Sequence, residues 1–156
     1  MQIKDLIKLL NDHRAEYMII GAQAVGAHGY IRATKDIDIL INPTEVNIAR
    51  VRSALEACGY DTTDASVEDF QTKKILFRQY WYNVDIHPDA KGIDTEEALK
   101  NKFSGLYDND VPTYFASLDD LIRMKKAAGR PQDLQDLKFL EEIKKQLSQQ
   151  KKEKKS

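Results

Sequence analysis

Residues 17–41 read YMIIGAQAVGAHGYIRATKDIDILI. A short apolar run, Tyr17 to Ile20, stops at Gly21. Small residues follow, then the basic segment Arg32-Ala33-Thr34-Lys35, then Asp36-Ile37-Asp38-Ile39-Leu40-Ile41. The last six alternate. In a strand, residues two apart share a face, so Asp36, Asp38 and Leu40 point one way and the three isoleucines the other, into a core. Aspartate is a poor strand former, and like charges so close repel. A divalent cation removes that repulsion, and carboxylate oxygen suits Mg²⁺. The stretch reads as strand, glycine turn, helix, strand with a metal-binding pair. Asp36 and Asp38 taken alone would more often be the solvated face of a half-exposed strand. The glycine turn at this distance ahead of them favours the metal pair.

Outward from that stretch, 156 residues with a net charge of -1 suit one domain with a real core. The near-balance of charge gives no pointer to nucleic acid. No apolar run approaches the ~20 residues of a membrane helix, and the first residues lack the apolar core of a secretory signal. Cys58 is the only cysteine, so no intrachain disulfide can form. It reads as a buried helical thiol. These features set the expectation of a cytoplasmic protein.

Ile3, Leu6, Ile7 and Leu10 recur at helical spacing and open the chain with an amphipathic helix. Asn42-Pro43-Thr44-Glu45 reads as a helix start capped by Asn42, with Ile48, Val51, Leu55 and Cys58 as its stripe and Gly59 as its end. Residues 61–71 read as a polar loop. Residues 74–77 and 81–87 read as strands, with Asn83, Asp85 and His87 on one face, and Tyr82, Val84 and Ile86 on the other. Trp81 and the tyrosines are expected in the core. A short helix follows Asp94, and residues 111–115 read as an edge strand. Ser117 starts another helix, and Gly129-Arg130-Pro131 breaks it. A last helix carries Leu134, Leu137, Leu140, Ile143 and Leu147 on one face. Residues 1–148 form one expected domain, and the basic tail 149–156 is expected to be disordered. Strands with helices between and after them give an α/β or α+β class with C-terminal helices.

Three carboxylates stand out. If the strands bearing Asp36, Asp38 and Asp85 are neighbours, all three converge, which is unfavourable unless metal ions neutralise them. Such sites carry out phosphoryl chemistry. Gly21 lets backbone approach a phosphate closely.

Together these motifs resemble the nucleotidyltransferase superfamily with the DNA polymerase β-like fold, in particular small bacterial AbiEii-type and minimal members. The resemblance rests on Gly21-Ala22 after the first strand, Asp36-Ile37-Asp38 on the second and Asp85 on a later one. The lead-in Arg32-Ala33-Thr34-Lys35 and the late segment from Lys125 through Arg130, Asp133 and Asp136 are similar too. It covers nearly the whole domain and implies a mixed sheet packed with helices. It also implies transfer of a nucleotidyl group from a nucleoside triphosphate to an acceptor hydroxyl, on tRNA, a protein or a small molecule, dependent on Mg²⁺ or alternatively Mn²⁺. Asp36, Asp38 and Asp85 would be catalytic and hold metal. Gly21, Ala22, Gln23, Lys35, Lys125 and Arg130 would bind the nucleotide. A toxin–antitoxin or defence setting goes with the resemblance. Ala22 departs from the family, which often has Ser or a second Gly there. It lacks a hydroxyl donor, but its amide remains and Gln23 offers a side-chain donor. The alternative is a nucleotide- or RNA-binding module that keeps the fold with weak or no turnover.

Overall fold

The computed structural model describes residues 1–29 and 36–155. In chain order these form α1 (Ile3–Asp12), β1 (Tyr17–Ile20), α2 (Gly21–Ala27), β2 (Asp36–Ile41), α3 (Glu45–Ala57), α4 (Val67–Thr72), β3 (Ile75–Phe77), β4 (Asn83–His87), α5 (Thr95–Lys100), β5 (Phe103–Tyr107), β6 (Val111–Phe115), α6 (Leu118–Ala128) and α7 (Pro131–Lys155). The strands make one six-stranded mixed sheet in the order β3-β4-β2-β1-β6-β5. This is the mixed sheet with helices, ending in a helical C-terminal part, that the sequence pattern leads one to expect. No described helix is long and apolar enough to cross a membrane.

The centre of the sheet positions the site. β2 lies between β4, to which it is parallel, and β1, to which it is antiparallel. The register sets Asp36 opposite Asn83, Asp38 opposite Asp85 and Leu40 opposite His87. The other face of these strands is apolar. Ile37, Ile39, Ile41, Tyr82, Val84 and Ile86 are all buried in the core, and a one-residue slip would place every one of them on the wrong side. Tyr17 shows what packs there. Its ring is buried and its hydroxyl bonds Asn11 at the end of α1 and Thr113 of β6, each at 2.9 Å.

Several local expectations change. Thr44, not Asn42, caps α3, accepting from the Asn47 amide at 3.2 Å. Asn42 is instead bonded through its side chain to Glu16. Asn47 explains the preference: its buried carboxamide ties Glu16 and the Asn42 carbonyl together, which fixes the chain leaving β2 before the helix can begin. Helix α4 overlaps the end of the stretch expected to be loop. Ser66 and Asp69 form a reciprocal cap, and one buried ring, Phe70, anchors an otherwise polar turn. β6 is not an edge strand, because β5 pairs along its outer side. Trp81 is 64% exposed rather than core, since β4 begins only at Asn83.

At the C-terminus, Ser117 caps α6, and Gly129, at φ 64°, ends it in the left-handed conformation that glycine adopts without strain. Pro131 then occupies the first position of α7. Helix α7 continues to Lys155, past the point where disordered tail was expected. Gln, Lys and Glu are good helix formers and carry a helix on without burying anything. Of the expected apolar stripe only Leu140 is fully buried, while Leu134 and Leu147 are exposed. The stripe is longer than the surface it meets.

Candidate active site

Asp38 and Asp85 face each other across the β2–β4 pair, and His87 lies one pleat further along β4. One ligand atom from each of the three lies within 4.8 Å of the others. His87 Nε2 is 2.9 Å from Asp38 Oδ1. Arg78, just past the end of β3, donates from Nη1 to Asp85 Oδ1 at 2.8 Å. Asp36 belongs to the same wall but stands one pleat back, accepting from Asn83 Nδ2 at 2.7 Å. Of the three carboxylates expected to converge, Asp38 and Asp85 cluster with His87, and Asp36 lines the same cavity beside them. His87 reads most simply from sequence as structural, yet its alternation with Asp85 already put it on the right face.

The cluster opens into a cavity of about 740 Å³. Gly21, Ala22, Asp36, Asp38, Asp85 and His87 line one side. Lys125, Arg130 and Asp133, from the α6–α7 junction, line the other, with Lys74 at the rim. Gly21 is required there. Its φ is +74°, and a Cβ on it would stand 2.5 Å from Asp38 Oδ2. The glycine therefore keeps a carboxylate oxygen and a stretch of backbone jointly accessible.

Lys125 and Arg130 are tied into a charge network. Lys125, buried, places Nζ 3.3 Å from Asp133 Oδ1 and 3.1 Å from Asp136 Oδ2, and both carboxylates are buried as well. Arg130 grips Asp133 through Nε at 2.7 Å and Nη2 at 3.3 Å, and its own amide donates to the same carboxylate. The Arg130 side chain is otherwise largely exposed, so guanidinium donors remain for a ligand. The hydrogen bonds from Arg130, against the opposing effect of burial, hold the Asp133 carboxyl below the usual carboxylate range and push Arg130 up. A carboxyl depressed in the fold contributes stability that is present above its unfolded pKa of about 4 and is lost as the pH falls through the folded value. Asp133→Asn should therefore flatten the acid limb of the melting curve below about pH 4. Thermal melts of both proteins from pH 6 to pH 3 check this, and parallel acid limbs would count against it.

One nucleotide-site expectation falls elsewhere. Gln23 is turned away. Its side chain bonds Tyr107, and it lines a separate cavity with Trp81, Tyr107 and Phe115. It is two residues along α2 from Gly21, on a different side of that helix from the Asp38 cavity. Arg32 and Lys35 lie outside the described residues. Lys74 and Gln132 are additional polar residues lining the cavity, and Arg78 and Asn83 bond its carboxylates. For Arg78 the sequence offers only its place one step past Phe77, which pairs with Val84; by alternation that step returns to the Asp85 face.

The sequence matches, over residues 1–154, the family described as "Nucleotidyltransferase of unknown function (DUF6036)". No curated protein matches it. Among solved structures, the fold is similar to that of the antibiotic-resistance factor ANT(2'')-Ia, a solution structure described as revealing substrate-regulated conformation dynamics. The TM-score is 0.56 at 13% identity, covering 98% of this chain and 92% of that one. At that identity the likeness is one of fold.

Proposed function

Because the chain belongs to this family of nucleotidyltransferases, we propose that it transfers a nucleotidyl group from a nucleoside triphosphate to an acceptor hydroxyl at the Asp38–Asp85–His87 cluster. The observation that carries this reading is the facing of two walls. An acidic cluster on the sheet, its ligand atoms within 4.8 Å of one another, looks across one cavity at Lys125 and Arg130.

A divalent ion fits the acidic wall. Two carboxylates directly opposite each other in adjacent strands are unfavourable without a cation, and Gly21 leaves Asp38 Oδ2 accessible. Asp38 and Asp85 would hold the ion, with Asp36 beside them, and His87 orients Asp38. Carboxylate oxygen suits Mg²⁺, while an imidazole in the set also suits Mn²⁺. Such an ion supplies charge neutralisation and Lewis acidity toward the triphosphate.

The chain's own residues do the rest. The acceptor oxygen attacks the α-phosphorus, a new P–O bond forms, the bond to the β-phosphate's bridging oxygen breaks, and pyrophosphate leaves. Asp85 Oδ2, which takes no hydrogen bond from any described residue, receives the acceptor's proton. Gly21 and Ala22 bring backbone against the phosphates. Arg130, braced by Asp133, offers its remaining guanidinium donors to phosphate oxygens. Lys125, paired with Asp133 and Asp136, braces the same wall. Most of the rate then comes from positioning and fixed charge.

Arg130→Ala should weaken binding of a non-hydrolysable triphosphate by roughly one to two decades, with Mn²⁺ affinity of the free protein nearly unchanged. Calorimetric titration of both ligands checks this. Unchanged nucleotide affinity with a lowered melting temperature would confine Arg130 to bracing the α6–α7 junction.

The acceptor is proposed from among tRNA, a protein hydroxyl and a small-molecule hydroxyl, within a cytoplasmic toxin–antitoxin or defence setting. The test is incubation with each labelled triphosphate and Mg²⁺ or Mn²⁺, in the presence of total RNA, total protein or an aminoglycoside panel, followed by a search for transferred label. One observation favours a second reading, a binding module without turnover: Ala22 lines the phosphate side of the cavity and brings no hydroxyl to it. Nucleotide binding with no label transferred to any pool would decide for that reading.

A further inference from the structure

Asp85 does not face the cavity by itself. Arg78 reaches it from the end of β3, with Nη1 2.8 Å from Asp85 Oδ1 and 3.2 Å from the Phe77 carbonyl. Asp85 is buried, whereas the Arg78 side chain is 43% exposed. Of the two Asp85 oxygens, Oδ1 is thus occupied by a charge-assisted bond, while Oδ2 accepts from no described residue.

We propose that Arg78 is a positioning residue for the transfer reaction, holding Asp85 by Oδ1 so that Oδ2 alone serves the reacting groups. The proposal rests on the transferase reading above. Three physical points carry it. First, the terminal torsion of an aspartate is broad and roughly two-fold, so an unpinned carboxylate presents either oxygen over a wide range of angles. A guanidinium bond to one oxygen narrows that range. Second, Asp85 stands directly opposite Asp38, and the Arg78 charge offsets the repulsion between them before any ligand arrives. On the other strand, Asp38 meets His87 Nε2 through its own Oδ1. Among the described residues, each inner carboxylate thus gives only one oxygen to a side-chain partner. Third, Arg78 also donates to its neighbour's carbonyl, which fixes its plane. A lysine ammonium has no plane to fix and orients a carboxylate less well.

This geometry separates binding from turnover. The same positive charge that orients Asp85 repels a divalent ion. Removing it should ease ion binding while loosening the oxygen that must be in place during transfer. Arg78→Ala should therefore bind Mn²⁺ more tightly than wild type, by roughly three- to tenfold at low salt. Its turnover at saturating Mn²⁺ and triphosphate should fall by about ten- to a hundredfold, with little change in KM for the triphosphate. Millimolar guanidinium should restore part of that rate to Arg78→Ala and none to Asp38→Asn. Arg78→Lys should lie between wild type and Arg78→Ala.

The experiment measures Mn²⁺ binding to the free protein by electron paramagnetic resonance, kcat and KM with and without guanidinium, and melting temperature. Tighter Mn²⁺ binding with a lower, guanidinium-restorable kcat supports the assignment. Wild-type turnover in Arg78→Ala overturns it. Weakened Mn²⁺ binding without rescue overturns it too, since that pattern belongs to a generally disturbed site. Failure of the transferase reading shows separately, as wild-type protein that labels no acceptor. In that event the Mn²⁺ titrations still judge the contact: tightening in Arg78→Ala supports it, and no change overturns it.

Discussion

Asp38→Asn should lower nucleotidyl transfer by at least about a hundredfold and leave the fold intact. Removing even an outer-shell partner of a metal ligand costs ten- to a hundredfold, and Asp38 is the residue on which the site converges. It faces Asp85 across the strand pair, meets His87 at 2.9 Å, and leaves Oδ2 beside the Cβ-free Gly21. Asparagine keeps the shape and the oxygen that His87 contacts, but loses the charge. In the metal-free protein that loss also relieves the repulsion with Asp85. The melting temperature should therefore hold or rise without metal, and the rise that Mn²⁺ gives the wild type should be largely lost. Transfer assays and melts with and without Mn²⁺ check both. A variant that keeps full activity, or that does not fold, would remove Asp38 from the metal assignment.

The second large effect concerns stability. Lys125→Ala should destabilise the protein by about 3–5 kcal/mol, the usual range when one partner of a buried ion pair is removed. For a chain of this size that corresponds to a fall in Tm on the order of 10 °C. Lys125 is buried between Asp133 and Asp136, at 3.3 and 3.1 Å, and both carboxylates are buried with it. Without the ammonium, the two face each other with the Arg130 guanidinium compensating at Asp133. Charge that cannot reach water must then be protonated or drive the α6–α7 junction open. Adding Asp136→Asn to Lys125→Ala should recover part of the loss, and the double-mutant cycle measures how much. A Lys125→Ala melt within about 2 °C of wild type would show that the network carries little net stability.

The same network bears on function. The α6–α7 junction that Lys125 closes also aims Arg130 at the cavity, so its opening would be felt at the nucleotide site as well. Measuring Mn²⁺ affinity alongside stability separates the two, because the acidic wall belongs to β2 and β4 rather than to the helices.

Alternation alone determined the sheet's acidic wall. Asp36-Ile37-Asp38 and Asn83-Val84-Asp85-Ile86-His87 each commit one face to the core and one to a polar cleft. The side-chain period of a strand is two, and burial of the apolar face permits one register. The glycine break after β1 and the capping residues of α6 were legible for the same reason: each is a local conformational demand met by a local residue. Which strands are neighbours is not local. Only the tertiary structure set β2 parallel to β4, so that Asp38 and Asp85 pair while Asp36 meets Asn83, and only it covered β6 with β5. It alone decided that Gln23 turns to Tyr107, that Arg78 grips Asp85, and that Lys125 lies buried between two aspartates. The partners of this glutamine, arginine and lysine were not legible in one dimension, because they lie on other elements and long side chains reach them only after the core has fixed the distances.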